Sequence, residues 1–543
     1  MLSWTRPAEA QSILPDTGTT VQVGSLRKQL ESLLAAGTGG TAREPGWTLV
    51  PSIGVGEGWT NNIAGSGGTT TNNKNSSGSS FFTTVSPALL INADTARVQG
   101  TLNYAPTARI YDSQSGQDQF GQYLNASALV TLLPDQLFVD MKGYAGLQAT
   151  SGGFGPNGTA ALSRQNTTQS YSGSVTPYLR EHFGDYGTAE LGGLASYTAQ
   201  NQLGSLSNNS PLATAVNNSL NNEYTTTTRE YLTFISGPEL GRFSVNPLVS
   251  ATQMNGTGVT NNAWRNIATV DGGYAITRNI TALAKIGYED IHYSGVVPFN
   301  VNDVVWSVGT RLVPNPDSTI TVRYGHQDGF NSALLDGSYA PTERTRVYAR
   351  YSEGIGTGLE DLQNALGSSV LDPLGNPVDP TTGAPLLLTN NAFAVQGNQT
   401  LYRTKRGSLT GTLLLDLDSI SLTISYQSQT PVATATLAAA AAAAAGTNSH
   451  GTSGSINWQH DFPFDLTSTV YVQYGTNDNI PLLTRTVAAN TGQATDTLVV
   501  SASLRYAFSD TLFGNLQYSY TSQSSTSVNR PTSYVLASIR KTF

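Results

Sequence analysis

Ile420-Ser421-Leu422-Thr423-Ile424-Ser425-Tyr426-Gln427 is the stretch that decides the fold. Its even positions are apolar and its odd positions small and polar, and side chains on a strand point to opposite faces in alternation. The segment is therefore a strand with one apolar face and one wet face. The same period of two sets Leu498, Val500, Ala502, Leu504, Tyr506 and Phe508 against Val499, Ser501, Ser503 and Arg505. It also sets Ile320, Val322 and Tyr324 against Thr321 and Arg323, and Val347, Ala349 and Tyr351 against Arg346, Tyr348 and Arg350. A soluble sandwich alternates in the same way. Length separates the two, because these segments run about 10 to 16 residues, against about 5 to 6 in globular sheets and the roughly 9 to 11 a tilted strand needs to cross hydrocarbon.

The connections carry a second signal. Tight links rich in Asp, Pro, Asn and Gly fall at 92–95, 133–136, 184–186, 237–240, 277–279, 314–317, 341–344, 416–418, 462–465 and 509–511. Between them lie longer, variable links such as 61–79, 151–165, 200–222, 356–400, 428–449 and 476–493. Alternation of short and long connections is the mark of a transmembrane barrel, with turns on the periplasmic side and loops outside. The expected fold is all-β: a transmembrane antiparallel up-and-down β-barrel of about 22 strands, within a range of roughly 18 to 24 because the hairpin around Asn331 is weak. It occupies residues 46–543, with both termini periplasmic, as an integral protein of the cell outer membrane. Residues 1–45 read as a periplasmic N-terminal extension, in which Leu26, Leu30, Leu33 and Leu34 are spaced for one short helix.

Composition narrows the function. The 543 residues include 28 Lys plus Arg and 36 Asp plus Glu, for a net charge of −8, and only 12% are charged, half the usual share of about 25%. A basic nucleic-acid binder is excluded. With no Cys, a disulfide scaffold, a Cys-ligated metal site and a thiol nucleophile are excluded as well. No window supplies the roughly 20 apolar residues of a membrane-crossing helix. Near the start, Ala8-Glu9-Ala10 before Gln11 has the small-x-small pattern of a cleavage site, yet the residues before Pro7 are too few for a leader's apolar core, so a start upstream of Met1 is expected. At the other end Val535, Ala537, Ile539 and the terminal Phe543 share one parity, as in the C-terminal assembly signal of outer-membrane barrels, with Lys541 breaking the pattern.

Several stretches resemble the uncharacterised outer-membrane β-barrel family associated with exopolysaccharide and PEP-CTERM gene clusters. They are Trp47-Thr48-Leu49-Val50-Pro51-Ser52-Ile53-Gly54-Val55 with Asn61-Asn62, Phe82-Thr83-Thr84-Val85-Ser86-Pro87, and Leu102-Asn103-Tyr104. Asp135-Gln136-Leu137-Phe138-Val139-Asp140 and Tyr348-Ala349-Arg350-Tyr351-Ser352-Glu353 extend the likeness, which is firm over 46–148 and patchy to 353. The resemblance implies an outer-membrane address and a polysaccharide context. It transfers no catalytic residues.

The residues themselves give little sign of catalysis. The five histidines, His182, His292, His326, His450 and His460, form no spaced pair, no nucleophile elbow marks a serine, and Asp416-Leu417-Asp418 and Asp303 lack the acidic run of a calcium loop. No catalytic residue, cofactor or metal is expected. On the lumen parity, Lys285, Arg311, Arg323, Arg344, Arg346, Arg350 and Arg505 point inward. Such rows attract anions in pores, but any arginine on the lipid face would cost roughly 2 to 4 kcal/mol, so the inward direction is also the default.

The longest loop, 356–400, holds a helix-like Leu359–Leu366 and an apolar run at 384–388. Apolar stretches would be left in water if it stood upright, so it is expected to fold into the mouth near Arg346 and Arg350; the glycines at 354, 356 and 358 leave a mobile external loop as the alternative. The functional expectation is a non-enzymatic conduit or assembly component for exopolysaccharide export. Its alternatives are a general or anion-preferring diffusion porin and a surface-anchored adhesin. The expected partners are outer-membrane lipid and lipopolysaccharide, the barrel-assembly machinery and the polysaccharide.

Overall fold

The computed structural model describes residues 46–63, 78–113, 115–149, 164, 167–202, 222–367, 370–371, 377–378, 397–436, 449–478, 495–525 and 528–543. The N-terminal extension with its expected helix, the alanine tract 438–445 and the apolar run 384–388 lie outside the described residues.

Twenty-two strands run antiparallel in chain order and close on themselves. They begin with β1 Gly46–Thr60, β2 Ser80–Asp94, β3 Val98–Tyr104 continued by Thr107–Tyr111, β4 Gln119–Gly121 continued by Leu124–Leu133, β5 Leu137–Ala149, β6 Thr167–His182 and β7 Gly187–Gln202. Next come β8 Glu223–Ser236, β9 Phe243–Gly256, β10 Ala263–Ala275, β11 Ile280–Tyr293, β12 Phe299–Leu312, β13 Thr319–Gln327, β14 Phe330–Thr342 and β15 Thr345–Gly356. The last are β16 Thr400–Leu414, β17 Asp418–Thr434, β18 Ser449–Phe462, β19 Leu466–Asp478, β20 Thr495–Ser509, β21 Leu512–Ser525 and β22 Val528–Thr542. β22 returns to β1 in the register Ser52↔Thr542 to Thr60↔Tyr534. No edge remains, which satisfies the rule that backbone polar groups in hydrocarbon must be paired within the protein. Both strand ends at this seam lie at one end of the barrel, called here the terminal end; the opposite end is the loop end. The interruption of β3 falls at Ala105-Pro106, where proline offers no ladder donor, and β2 pairs with both halves.

The faces are inside out relative to a soluble sheet. Ile286, Val249, Leu49 and Ile424 stand 65%, 55%, 60% and 51% exposed on the outside, while Thr423, Ser425, Gln427 and Ser501 are buried on the inside. Each of the ten tight links named above is a turn at the terminal end. Long loops at the other end are less uniform than expected. β13 and β14 join through Asp328-Gly329 alone, both with positive φ (56° and 73°), the two-residue hairpin turn that an Asp-Gly pair favours.

A barrel of this width is in general too wide for its own side chains to fill. At the loop end this one is filled locally. Met254, Ile291, Tyr293, Ile355, Leu401 and Ala433 form one apolar cluster with Val259 of the β9–β10 connection. Strands as far apart as β9 and β17 thus meet through their inner faces, and Val297, between β11 and β12, bridges Thr434 at the end of β17. A second cluster joins Ile63, Phe82, Tyr111 and Tyr534 beside the seam.

Candidate functional site

Between β15 and β16 the chain forms a helix, α1, over Gly358–Gly367. Its start is encoded locally. The Thr357 backbone N–H donates to Glu360 Oε2 (2.7 Å) and the Glu360 N–H donates to Thr357 Oγ1 (3.3 Å), a reciprocal capping box from the sequence Thr-Gly-Leu-Glu. Glu360 and Asp361 in the first turn also suit the positive end of the helix dipole. Leu359 and Leu362, three residues apart and so on one face, are buried to 1% and 3% exposure.

The helix, about 15 Å long by its rise per residue, crosses the lumen. Gln363 Nε2 donates to Ser196 Oγ on β7 (2.7 Å), the Tyr293 hydroxyl on β11 donates to Glu360 Oε1 (2.9 Å), and Asp361 pairs with Arg406 on β16. A small cavity of about 80 Å³ remains beside it, lined in part by Arg229, Arg265 and Thr404. The loop expected to fold into the mouth does so in its described part. Its ion pair is with Arg406 rather than with Arg346 or Arg350.

A latch holds the far end of this loop. Asn398, fully buried, donates from Nδ2 to the Tyr224 carbonyl (3.1 Å) and to Thr225 Oγ1, and its Oδ1 accepts from Thr357 Oγ1 (2.9 Å). Its carbonyl accepts from the Val259 N–H (2.8 Å), and its own N–H donates to Glu223 Oε2 (2.8 Å). Gln399 Nε2 donates to the other Glu223 oxygen (3.1 Å). At Gly397 a Cβ would lie 1.4 Å from Glu223 Oε2, so any side chain there must displace that carboxylate. Burial raises the Glu360 carboxyl above the ordinary carboxylate range, opposed by Arg265.

Beneath α1 lies a layer of inward charges. Arg265 pairs with Asp328 (2.7 Å) and donates to the Ile355 carbonyl (3.4 Å), and the Gly329 N–H donates to Glu289 (3.1 Å). Of the seven basic residues expected on the lumen wall, Lys285, Arg311 and Arg323 do face inward from the neighbouring strands β11, β12 and β13. Lys285 donates to Gln327 (3.2 Å) and Arg323 pairs with Asp271 (2.9 Å). Arg346 and Arg350 follow on β15, the latter 3.6 Å from Asp336. Arg505 is separate, on β20, with its guanidinium 4.8 Å from the Phe513 ring centre. Arg344 is corrected: it sits in the turn before β15, 61% exposed, paired with Asp416 at 3.0 Å. The set is therefore an arc with one outlier and not a ring.

Sequence reasoning missed Arg229, Arg265, Arg406 and Arg540, all on the inward parity of their strands, and it missed Glu223 and Asn398 entirely. The parity rule applied to every strand would have found the arginines. At the C-terminus, Val535, Ala537, Ile539 and Phe543 all face outward, and Lys541 turns its ammonium to Thr511 Oγ1 (2.6 Å). His326 lies 3.2 Å from Asp303, and His460 2.7 Å from Asp418. Among the described residues no group of three or more His, Asp and Glu is placed to hold a metal ion.

No family model and no curated protein sequence matches this chain. Among solved structures it is similar to the FrpB iron transporter of Neisseria meningitidis, with a TM-score of 0.50 at 8% identity over 94% of this chain and 82% of that one. It is also similar to the ferric-catecholate import receptor Fiu of E. coli, with a TM-score of 0.50 at 10% identity over 92% and 82% of the two chains. At such identities the likeness is one of fold, and it is to outer-membrane barrels of transport receptors. The expectation of an exopolysaccharide export conduit, with a diffusion porin as its alternative, is corrected on this ground: the solved structures that share its fold are an iron transporter and an import receptor. The chain is a closed 22-strand antiparallel outer-membrane β-barrel.

Proposed function

We propose that this protein is a gated uptake barrel, a carrier and not an enzyme, with both termini in the periplasm and the loop end facing outward. The observation that carries the reading is α1 held across the lumen by contacts to β7, β11 and β16 and latched through Asn398. A pore meant for free diffusion gains nothing from such a closure. A receptor that admits one ligand at a time needs it.

The wall below the helix suggests the charge of that ligand. Lys285, Arg311, Arg323, Arg346 and Arg350 share this wall with the inward acids Asp271, Glu289 and Asp336, while Asp328 is paired with Arg265, which leaves a positive arc. Charged walls of one sign concentrate ligands of the other. Fiu, one of the two fold relatives, is a ferric-catecholate import receptor, and an anionic ferric catecholate is the ligand class this arc fits. The purified barrel should bind a ferric tris-catecholate with quenching of its tryptophan fluorescence, and R311Q/R323Q should weaken binding at least tenfold. Wild-type protein that shows no saturable quenching overturns the reading.

A further inference from the structure

On the wall away from that arc, near the terminal end, two arginines come together with no acid between them. Arg540 on β22 stands opposite Gly54 on β1, which stands opposite Ser86 on β2. Its side chain extends across that glycine. Nη1 donates to Ser52 Oγ (3.0 Å) and Nη2 to Ser86 Oγ (3.3 Å), and a Cβ at Gly54 would lie 3.3 Å from Nη2 and 2.7 Å from Ser86 Oγ. The missing side chain is what leaves room for the guanidinium to lie flat there.

One register step toward the loop end, Arg505 stands opposite Asn515, and Asn515 stands opposite Ser538. Phe513, opposite Arg540, supports the Arg505 guanidinium from one side. Two guanidinium groups thus flank a floor of Asn515 and Ser538. Among the described residues neither arginine makes an ion pair. Asp461, two strands beyond Arg505 in the same row, accepts hydrogen bonds from Thr467 (3.1 Å) and Gln459 (3.4 Å). Elsewhere on the wall Arg265, Arg323 and Arg350 each have a carboxylate. Here the donors are left facing the lumen, and Arg is the side chain best shaped to grip a tetrahedral or planar oxyanion with several N–H groups at once.

We infer that Arg505 and Arg540, with Ser52 and Ser86 holding the second in place, form an oxyanion-binding site on the inner wall near the terminal end, for a phosphate group either free or carried on a larger molecule. This site is independent of the gate and of the ligand read from the basic arc.

Arginine-selective labelling with phenylglyoxal, read by mass spectrometry on the folded barrel in detergent, tests it. Inorganic phosphate should cause a several-fold loss of labelling at both Arg505 and Arg540, with Arg344 in its exposed turn as the unprotected control. Glycerol 3-phosphate distinguishes the sources: protection by both ligands assigns the site to the group itself, and by glycerol 3-phosphate alone to a carried phosphate. In R540Q, checked for folding by heat-modifiable gel mobility, protection of Arg505 should be lost. Labelling unchanged by either ligand overturns the proposal, and so does full protection of Arg505 in R540Q.

Discussion

Asn398→Ala should unlatch the gate. Counting only the close bonds, and not the one at 3.5 Å to Thr257 Oγ1, the side chain makes three hydrogen bonds that alanine cannot, to the Tyr224 carbonyl, to Thr225 Oγ1 and from Thr357 Oγ1, all in a site with no exposure. At about 1 kcal/mol net for each bond, the loss is about 3 kcal/mol. Every 1.4 kcal/mol is a factor of ten, so the balance between docked and undocked loop should move about 100-fold toward undocked. The strands keep their ladders, since these bonds tie a loop to the wall and no wall strand to another. Reconstitution into planar bilayers gives the readout: the wild type should rest closed with rare openings, and the variant should open about 100-fold more often with larger steps. A variant that folds, as judged by heat-modifiable mobility, and gives the wild-type record would refute the latch.

Other expectations follow from the same geometry. Gly397→Ala should mimic Asn398→Ala in the bilayer record, because the new methyl would displace the Glu223 carboxylate from its two donors. A Ser196→Cys, Gln363→Cys pair, in a chain otherwise free of cysteine, should lock the gate under oxidation and release it with reductant; conductance indifferent to redox state would count against α1 crossing to β7. Burial raises the Glu360 carboxyl in the docked state, so docking favours proton uptake there. Docking is then fully supported below the ordinary glutamate range and weakens as pH rises through the raised value. Open probability should climb with pH over that window, and Glu360→Gln should flatten the dependence. Ile286→Arg on the lipid face should cost roughly 2 to 4 kcal/mol in urea-driven unfolding from liposomes, while Ser455→Arg on the inner face should cost far less.

Much of the barrel is legible in the sequence because its determinants are local. Alternation within Ile420–Gln427 assigns both faces, and turn chemistry at places such as Gly184-Asp185-Tyr186 punctuates the strands. The helix is legible for the same reason, since its capping box and paired leucines lie within six residues. The gate is not. Gln363 meets Ser196 across 167 positions and Asn398 meets Glu223 across 175, and no local pattern reports which inward residues on distant strands converge. Asn398 sits in Gln-Gly-Asn-Gln, which reads as solvated loop, and Glu223 opens a strand like many acids at a rim. Likewise Arg344 shares the lumen parity and reads as part of the wall, although parity loses meaning once the chain has left the strand.

The seam sets the order in which this molecule can be finished. Every other strand pairing joins neighbours in the chain and can zip hairpin by hairpin, whereas Ser52 meets Thr542, 542 − 52 = 490 positions away. Contacts so remote in sequence form slowly and late. Until they form, the nascent sheet carries two open edges, one at β1 and one at β22, each a template for pairing with another chain. Phe543 takes part in shutting them: its N–H donates to the Pro51 carbonyl at 2.9 Å. A chain lacking β22 would therefore carry a lasting adhesive edge rather than a smaller barrel.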